Sequence, residues 1–211
     1  MININKLHFP VTVLGPGRRI GLWVQGCSIG CSGCMSRDTW AQVNQSEVAL
    51  DDVVDWCVSQ AATGADGITI SGGEPFEQPA ALDELIVRLD QWRRAAGREF
   101  DILCYSGLPL ARLKREFPHI LDRLDALIPE PFQRRRPRGG PWQGSTNQPL
   151  ILFSDLARRR FSDVPSGRQI QVGLSDGKLF TIGIPDSGDM DRLAESLRAK
   201  GLKLEGTSWL G

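Results

Sequence analysis

Cys27, Cys31 and Cys34 fall in the pattern C-x3-C-x2-C, with Gly26, Gly30 and Gly33 beside them and no regular periodicity between them. Soft thiolates favour an iron-sulfur cluster or zinc, and glycine gives the backbone the positive φ it needs to wrap closely round a bulky inorganic centre. The number of cysteines is informative. Structural zinc almost always takes four protein ligands, and the only histidines, His8 and His119, are not spaced as a local fourth. A cubane 4Fe-4S cluster on three cysteines would leave one iron open to an exogenous molecule. Two alternatives stand beside it: a zinc knot that recruits His8, and three buried cysteines without metal. Cys57 and Cys104 read differently, one on the apolar face of an expected helix and the other in an expected strand, both as core residues.

A second constellation is Gly72-Gly73-Glu74-Pro75, reached directly from the apolar run Ile68 to Ser71. A glycine pair and a carboxylate at the carboxyl end of a parallel strand lie where α/β sheets bind ligands. The glycines would let a small molecule approach the main chain, and Glu74 would pair with an ammonium group. The competing account is structural, because Gly-Gly followed by Glu and Pro is also good chemistry for starting a helix.

The elements that must position these residues follow from periodicity and punctuation. The pattern predicts strands near Asn3 to Phe9 and Arg19 to Gln25, separated by the turn Gly15-Pro16-Gly17. A helix from Glu47 to Ala61 is expected, with Ser46 as its N-cap. The strand Gly67 to Ser71 and a helix marked by Leu82, Leu85, Ile86 and Leu89 come next. Strand Phe100 to Tyr105, a helix from Leu108 to Glu116 and a short strand at Ala126 to Ile128 repeat the unit. Repeated βα units imply a mostly parallel sheet covered by helices. Five prolines and three glycines between residues 129 and 149 exclude a regular element over most of that span, and loops of that length tend to be lids or binding loops. Gln169 to Leu174 and Leu179 to Ile184 are expected to form a hairpin through Asp176-Gly177, followed by a helix from Met190 to Lys200. Residues 165–211 are expected to be peripheral to a core at about residues 10–160 of a single domain.

The 211 residues carry 25 Lys and Arg against 25 Asp and Glu, with 41% hydrophobic residues. That is the composition of an ordinary globular protein, and the zero formal charge argues against a chain devoted to nucleic acid or an acidic membrane. A core of this size needs no metal to hold it together, so a metal site here would be functional. It also leaves little room for a closed small-molecule pocket, which points to a macromolecular substrate. Five cysteines make a poor disulfide framework and the first residues lack a signal-peptide pattern, so the expected location is cytoplasmic. The uncharged run from Ile20 to Ser36 is too polar and too broken by glycine to span a bilayer. Among clustered cations, Gln133-Arg134-Arg135-Arg136-Pro137-Arg138 reads either as a solvated loop or as a docking surface for an acidic partner or leader peptide, and Arg158-Arg159-Arg160 as a helix end.

Taken together, C-x3-C-x2-C after one core strand and GGEP after the next resemble the radical S-adenosylmethionine superfamily. The run Gly15 to Trp40, with GPG, GC-x3-C-x2-C and R-x-TW elements, and the run Ile70 to Pro79 are similar to the activating enzymes of glycyl-radical enzymes. Tyr105-Ser106-Gly107, Asp125 to Phe132 and Gly144 to Gln148 resemble the activases of anaerobic ribonucleotide reductase in order and spacing. The resemblance implies an α/β fold, a partial (β/α)6-type barrel with a small C-terminal hairpin and helix. It implies a 4Fe-4S cluster on Cys27, Cys31 and Cys34, and S-adenosylmethionine bound at the open iron. Contacts to that cofactor would come from Gly33, Met35, Gly72, Gly73, Glu74, Pro75 and Ser106. An electron from a flavodoxin- or ferredoxin-type donor would cleave the sulfonium, and the 5'-deoxyadenosyl radical would abstract hydrogen from a glycine of a partner enzyme. A radical enzyme of the same fold acting on a peptide or small metabolite, and a metal-stabilised binding module without catalysis, are the alternatives. No nucleic acid and no membrane is implied.

Overall fold

The computed structural model describes residues 1–42, 47–164, 170–175, 178–186 and 188–202. Its centre is four parallel strands, β2 (Arg19–Val24), β4 (Gly67–Gly72), β5 (Asp101–Tyr105) and β6 (Ala126–Ile128), in that spatial order. β1 (Ile2–Val11) adds antiparallel to β2, and β3 (Glu47–Val48) pairs antiparallel with β1. At the other edge β7 (Ile151–Leu152) pairs antiparallel with β6. The result is a mixed α/β sheet of seven strands, parallel at its centre.

Strands covered on both faces carry continuous apolar runs. Every residue of β2 is buried, as are the first four of β4 and of β5. Three helical crossovers join them: α1 (Leu50–Ala62), α2 (Pro79–Ala95), and the pair α3 (Leu110–Glu116) with α4 (Pro118–Leu121). α1 opens with Asp51 and Asp52 and α2 closes with Arg93 and Arg94, charges that suit the helix dipole. Leu82, Leu85, Ile86 and Leu89 of α2 are fully buried against the sheet, with Cys57 and Cys104 in the same core. α5 (Asp155–Arg160) is capped by Ser154, whose hydroxyl accepts from the amide of Ala157. The triple arginine ends this helix, as expected.

Two expectations need correction, and one strand was not anticipated. The helix expected from Glu47 begins at Leu50, because Glu47 and Val48 pair with Asn3 and Ile2 as a strand; Ser46, the expected cap, lies outside the described residues. β7 was not legible, since two residues carry no periodicity. The tail is also less peripheral than expected. β8 (Ile170–Ser175) and β9 (Lys178–Gly183) form the hairpin, with the turn at Asp176-Gly177 outside the described residues, and α6 (Asp189–Ala199) follows. Phe180, Ile182 and Ile184 pack on Val11, Val13, Leu14 and Trp23. Gln171 bonds the main chain of Pro10 and Thr12.

Candidate functional site

The parallel register aligns Val24 with Gly72, Ile70 with Cys104, and Tyr105 with Ile128, so the carboxyl ends of four strands share one edge. The segments that follow them are the cysteine loop, Gly73-Glu74-Pro75, Ser106-Gly107 and the 129–149 loop. They meet in one cavity of about 1030 Å³. Its lining includes Cys27, Cys31, Cys34, Gly33, Met35, Gly72, Gly73, Glu74 and Ser106. Pro75 is buried as the first residue of a short 3-10 turn behind Glu74.

The three cysteines are half-buried and unbridged. Gly26, Gly30 and Gly33 have φ of 103°, 60° and 80°, the conformations that glycine was expected to supply. The amides of Gly26 and Cys27 donate to the carbonyls of Thr39 and Trp40, closing the loop at its base. Burial raises the Cys27 and Cys31 thiols above their ordinary range, opposed by backbone amides; for Cys31 the neighbouring thiols of Cys34 and Cys27 raise it further. Among the described residues, no three His, Cys, Asp or Glu side chains draw round a single ion. Three soft thiols that line one cavity, on a loop that glycine has opened, are a donor set that fits an iron-sulfur cluster. His8 lines the same cavity from β1, edge-on to Phe180 at 5.0 Å between ring centroids. Cys57 and Cys104 are fully buried in the core, Cys57 with its thiol pushed up to about 12 by burial.

Besides lining the cavity, the glycine pair packs against neighbouring main chain. The Gly73 amide donates to the carbonyl of Val24, and the Glu74 amide to the carbonyl of Gly26, at 2.9 and 2.8 Å. A Cβ on Gly73 would lie 2.1 Å from the Gly26 oxygen, and one on Gly72 would lie 2.6 Å from the Val24 nitrogen. The close approach is made at Gly73 by the base of the cysteine loop and at Gly72 by the end of β2.

Glu74 is 1% exposed and accepts three hydrogen bonds. Oε1 takes the Phe76 amide at 3.1 Å and the Ser106 hydroxyl at 2.8 Å, and Oε2 takes the Gly107 amide at 2.7 Å. It therefore caps the turn and ties the end of β4 to the end of β5. Burial lifts its carboxyl to about 7 against these three donors.

The 129–149 loop is irregular, as expected, but thoroughly braced. Gln148 accepts from the Ser145 amide and donates to the Glu130 carbonyl; Asn147 donates to the Pro131 carbonyl, and Tyr105 to that of Trp142. Phe132, Arg134, Arg136 and Arg138 from this loop line the cavity, opposite Phe180, Ile182, Asp186 and Met190 from the tail. Sequence reasoning missed that tail wall and the cavity's size. Alternating apolar residues in β9 were the signal, but nothing local says which face of the molecule they cover.

Residues 13–151 match the family described as a 4Fe-4S single cluster domain. The chain is 30% identical over 154 residues to the anaerobic ribonucleoside-triphosphate reductase-activating protein of Enterobacteria phage T4, covering 73% of this chain and 96% of that protein. It is 31% identical over 146 residues to the protein of the same name from Escherichia coli strain K12, covering 67% and 93%. QueE from Escherichia coli, a solved structure, aligns at a TM-score of 0.38 and 17% identity over 61% of this chain and 70% of that one.

Proposed function

This chain belongs to the 4Fe-4S single-cluster domain family, in its radical S-adenosylmethionine activase group, and on that premise we propose that it generates a glycyl radical in a partner enzyme of the anaerobic ribonucleotide reductase kind. It is an enzyme whose cofactors are a 4Fe-4S cluster and S-adenosylmethionine, which sets the non-catalytic binding module aside. What carries the reading is the meeting of the cysteine loop, the glycine-glutamate turn and Ser106-Gly107 at one edge of the parallel strands, in one cavity. The finer form of the fold, a partial (β/α)6-type barrel, belongs to this proposal.

In this reading Cys27, Cys31 and Cys34 hold the cluster. Reductive cleavage of the sulfonium to a 5'-deoxyadenosyl radical is the chemistry the cofactors supply when bound. The chain's own residues bind, orient and exclude water. Gly72, Gly73 and Glu74 line the cavity, and their main-chain carbonyls would receive the methionyl ammonium beside the Glu74 carboxylate. Ser106 fixes the Glu74 carboxylate, and Gly33 and Met35 supply the contacts beside Cys34. Trp23, Ile29 and Phe132 provide apolar walls that keep water from a reactive hydrogen-abstracting species. The electron would come from a flavodoxin- or ferredoxin-type donor.

The test is anaerobic reconstitution with iron and sulfide, followed by dithionite and S-adenosylmethionine. The expected results are one 4Fe-4S cluster, release of methionine and 5'-deoxyadenosine, and a glycyl-radical signal on a co-encoded partner by electron paramagnetic resonance. Cys31→Ala should lose the cluster while Cys57→Ala and Cys104→Ala keep it. A full cluster in Cys31→Ala, or none in wild type, would sink the assignment.

A second reading has one observation in its favour. The expectation concerned a closed pocket, and the chain instead has an open cavity of about 1030 Å³, at the upper limit of volumes for small-ligand sites. Its second wall comes from residues beyond the family match at 13–151. A radical enzyme acting on a peptide or a small metabolite would use that space, and hydrogen transfer from such a molecule, with no radical on any partner protein, would promote it.

A further inference from the structure

The 25 cations and 25 acids of the chain balance, yet four arginines fall within the five residues 134–138. Their surroundings differ. Arg134, Arg136 and Arg138 line the cavity that holds the cysteines, and Arg135 is not part of that lining. Arg138 is paired with Asp186 of the tail, which pins the tail segment to the loop across the cavity mouth. The Nε of Arg136 donates to Gln133 Oε1 at 3.0 Å, which leaves the outer nitrogens of its guanidinium unused by that bond. Arg134 carries no ion pair among the described residues, and its stem lies over Gly33, where a Cβ would come within 3.0 Å of Arg134 Cδ. The loop beneath them is held by the Gln148, Ser145 and Asn147 bonds and by the Thr146 amide on the Pro137 carbonyl. The two available guanidiniums thus stand on a braced loop that lines the same cavity as the cysteines, Arg134 with its stem against Gly33.

The acids of the lining are largely engaged. Asp186 is on Arg138, Glu130 accepts from the Leu110 amide, and Glu74 has its three donors, leaving Asp191. Lys6 of the lining is engaged with Asp38, and His8 is half-buried against Phe180. The mouth is therefore cationic on its loop side and largely apolar on its tail side, where Phe180, Ile182, Ile184 and Met190 stand.

We propose that this mouth binds an extended acidic segment of a partner polypeptide, its carboxylates on Arg134 and Arg136, beside the residue that gives up hydrogen. The inference rests on the activase reading and names how the substrate is recognised there. We take the segment as extended because the loop and the tail both line the cavity and are joined by the Arg138–Asp186 pair, so a single strand is the simplest shape to enter between them. Charge selects acidic residues, and planar guanidiniums suit carboxylates. The apolar tail wall takes the side chains between them.

The experiment titrates cluster-reconstituted protein with a short fluorescent peptide that has glycine at its centre and Asp and Glu on either side. The comparison peptide has Asn and Gln in their places, and inorganic phosphate serves as competitor. The acidic peptide should bind, more weakly as salt rises. The double change Arg134→Ala with Arg136→Ala should weaken it about tenfold or more and flatten the salt dependence, with iron content unchanged, while Arg135→Ala leaves binding as in wild type. Equal binding of the amide peptide, an equal loss in Arg135→Ala, or displacement by phosphate at comparable strength would overturn the inference, the last by making the arginines a small-anion site. Charge-dependent binding by a protein that never cleaves S-adenosylmethionine would keep this surface and sink the activase reading instead.

Discussion

Glu74 shows how one side chain serves both architecture and chemistry. A carboxylate with three donors would ordinarily ionise easily, but desolvation wins at this position and its carboxyl stands at about 7. The consequence for stability has a definite sign. Between the ordinary value near 4.5 and about 7 the folded chain holds a proton that the unfolded chain has released, so stability falls as pH rises through that window. The full effect is at most about 3.5 kcal/mol, at about 1.4 kcal/mol per unit. Denaturant unfolding of the metal-free protein should therefore give a lower stability at pH 8 than at pH 5, and Glu74→Gln should remove most of that difference. A pH-independent difference between the two proteins would mean that Glu74 does not titrate in this range. Gln should still cost stability at low pH, because its amide nitrogen cannot accept, and whichever way the amide is turned it faces either the Gly107 amide or the Phe76 amide with the Ser106 hydroxyl.

Among the elements, the tightest coupling is between the end of β4 and the base of the cysteine loop. Two backbone hydrogen bonds and the bare Cα of Gly73 bring that turn onto Gly26, one residue before Cys27. A side chain at residue 73 would act first on the loop that carries the thiols, and only secondarily on a bound cofactor. Gly73→Ala should accordingly lower iron and sulfide retention after reconstitution. Gly97→Ala is the matched control. Gly97 closes α2 with φ of 59° and nothing within 4 Å of an added Cβ, so it should cost about 1 kcal/mol of stability with full cluster content. Full iron in Gly73→Ala would show that the two loops move independently.

Across the whole molecule, charge is divided between the two edges of the sheet. At the amino ends of the parallel strands Arg19 and Asp101 form a fully buried pair at 2.6 Å, with Arg160 on the second Asp101 oxygen at 2.8 Å. The Arg19 guanidinium also donates to Thr69 Oγ1 and to the Ile68 carbonyl. This network joins β2, β4, β5 and α5 far along the strands from the cavity, and it holds the register on which the opposite edge depends. Breaking a buried pair leaves a charge without compensation, which costs about 3–5 kcal/mol. Asp101→Asn should lower stability by that order in denaturant unfolding, with cluster content intact at low temperature. A loss below about 1 kcal/mol would mean that water reaches Arg19.

The chemistry of the site was legible because it is local. Three thiols within eight residues, the glycines that open their loop, and a Gly-Gly-Glu-Pro turn after a buried strand are all set by neighbours in sequence, as are the apolar runs of β2, β4 and β5 and the helical spacing of α2. What the glycine pair packs against was not legible, since Gly26 and Gly73 are 47 residues apart and only the parallel register of β2 with β4 brings them together. The same holds for Glu74 with Ser106, for Arg138 with Asp186, and for the tail as the second wall of the cavity. Each of these depends on which strand ends share an edge. Local propensity fixes an element and the face it buries, but the partner of that face is chosen by burial and hydrogen bonding between segments far apart in the chain, and only the tertiary structure states that choice.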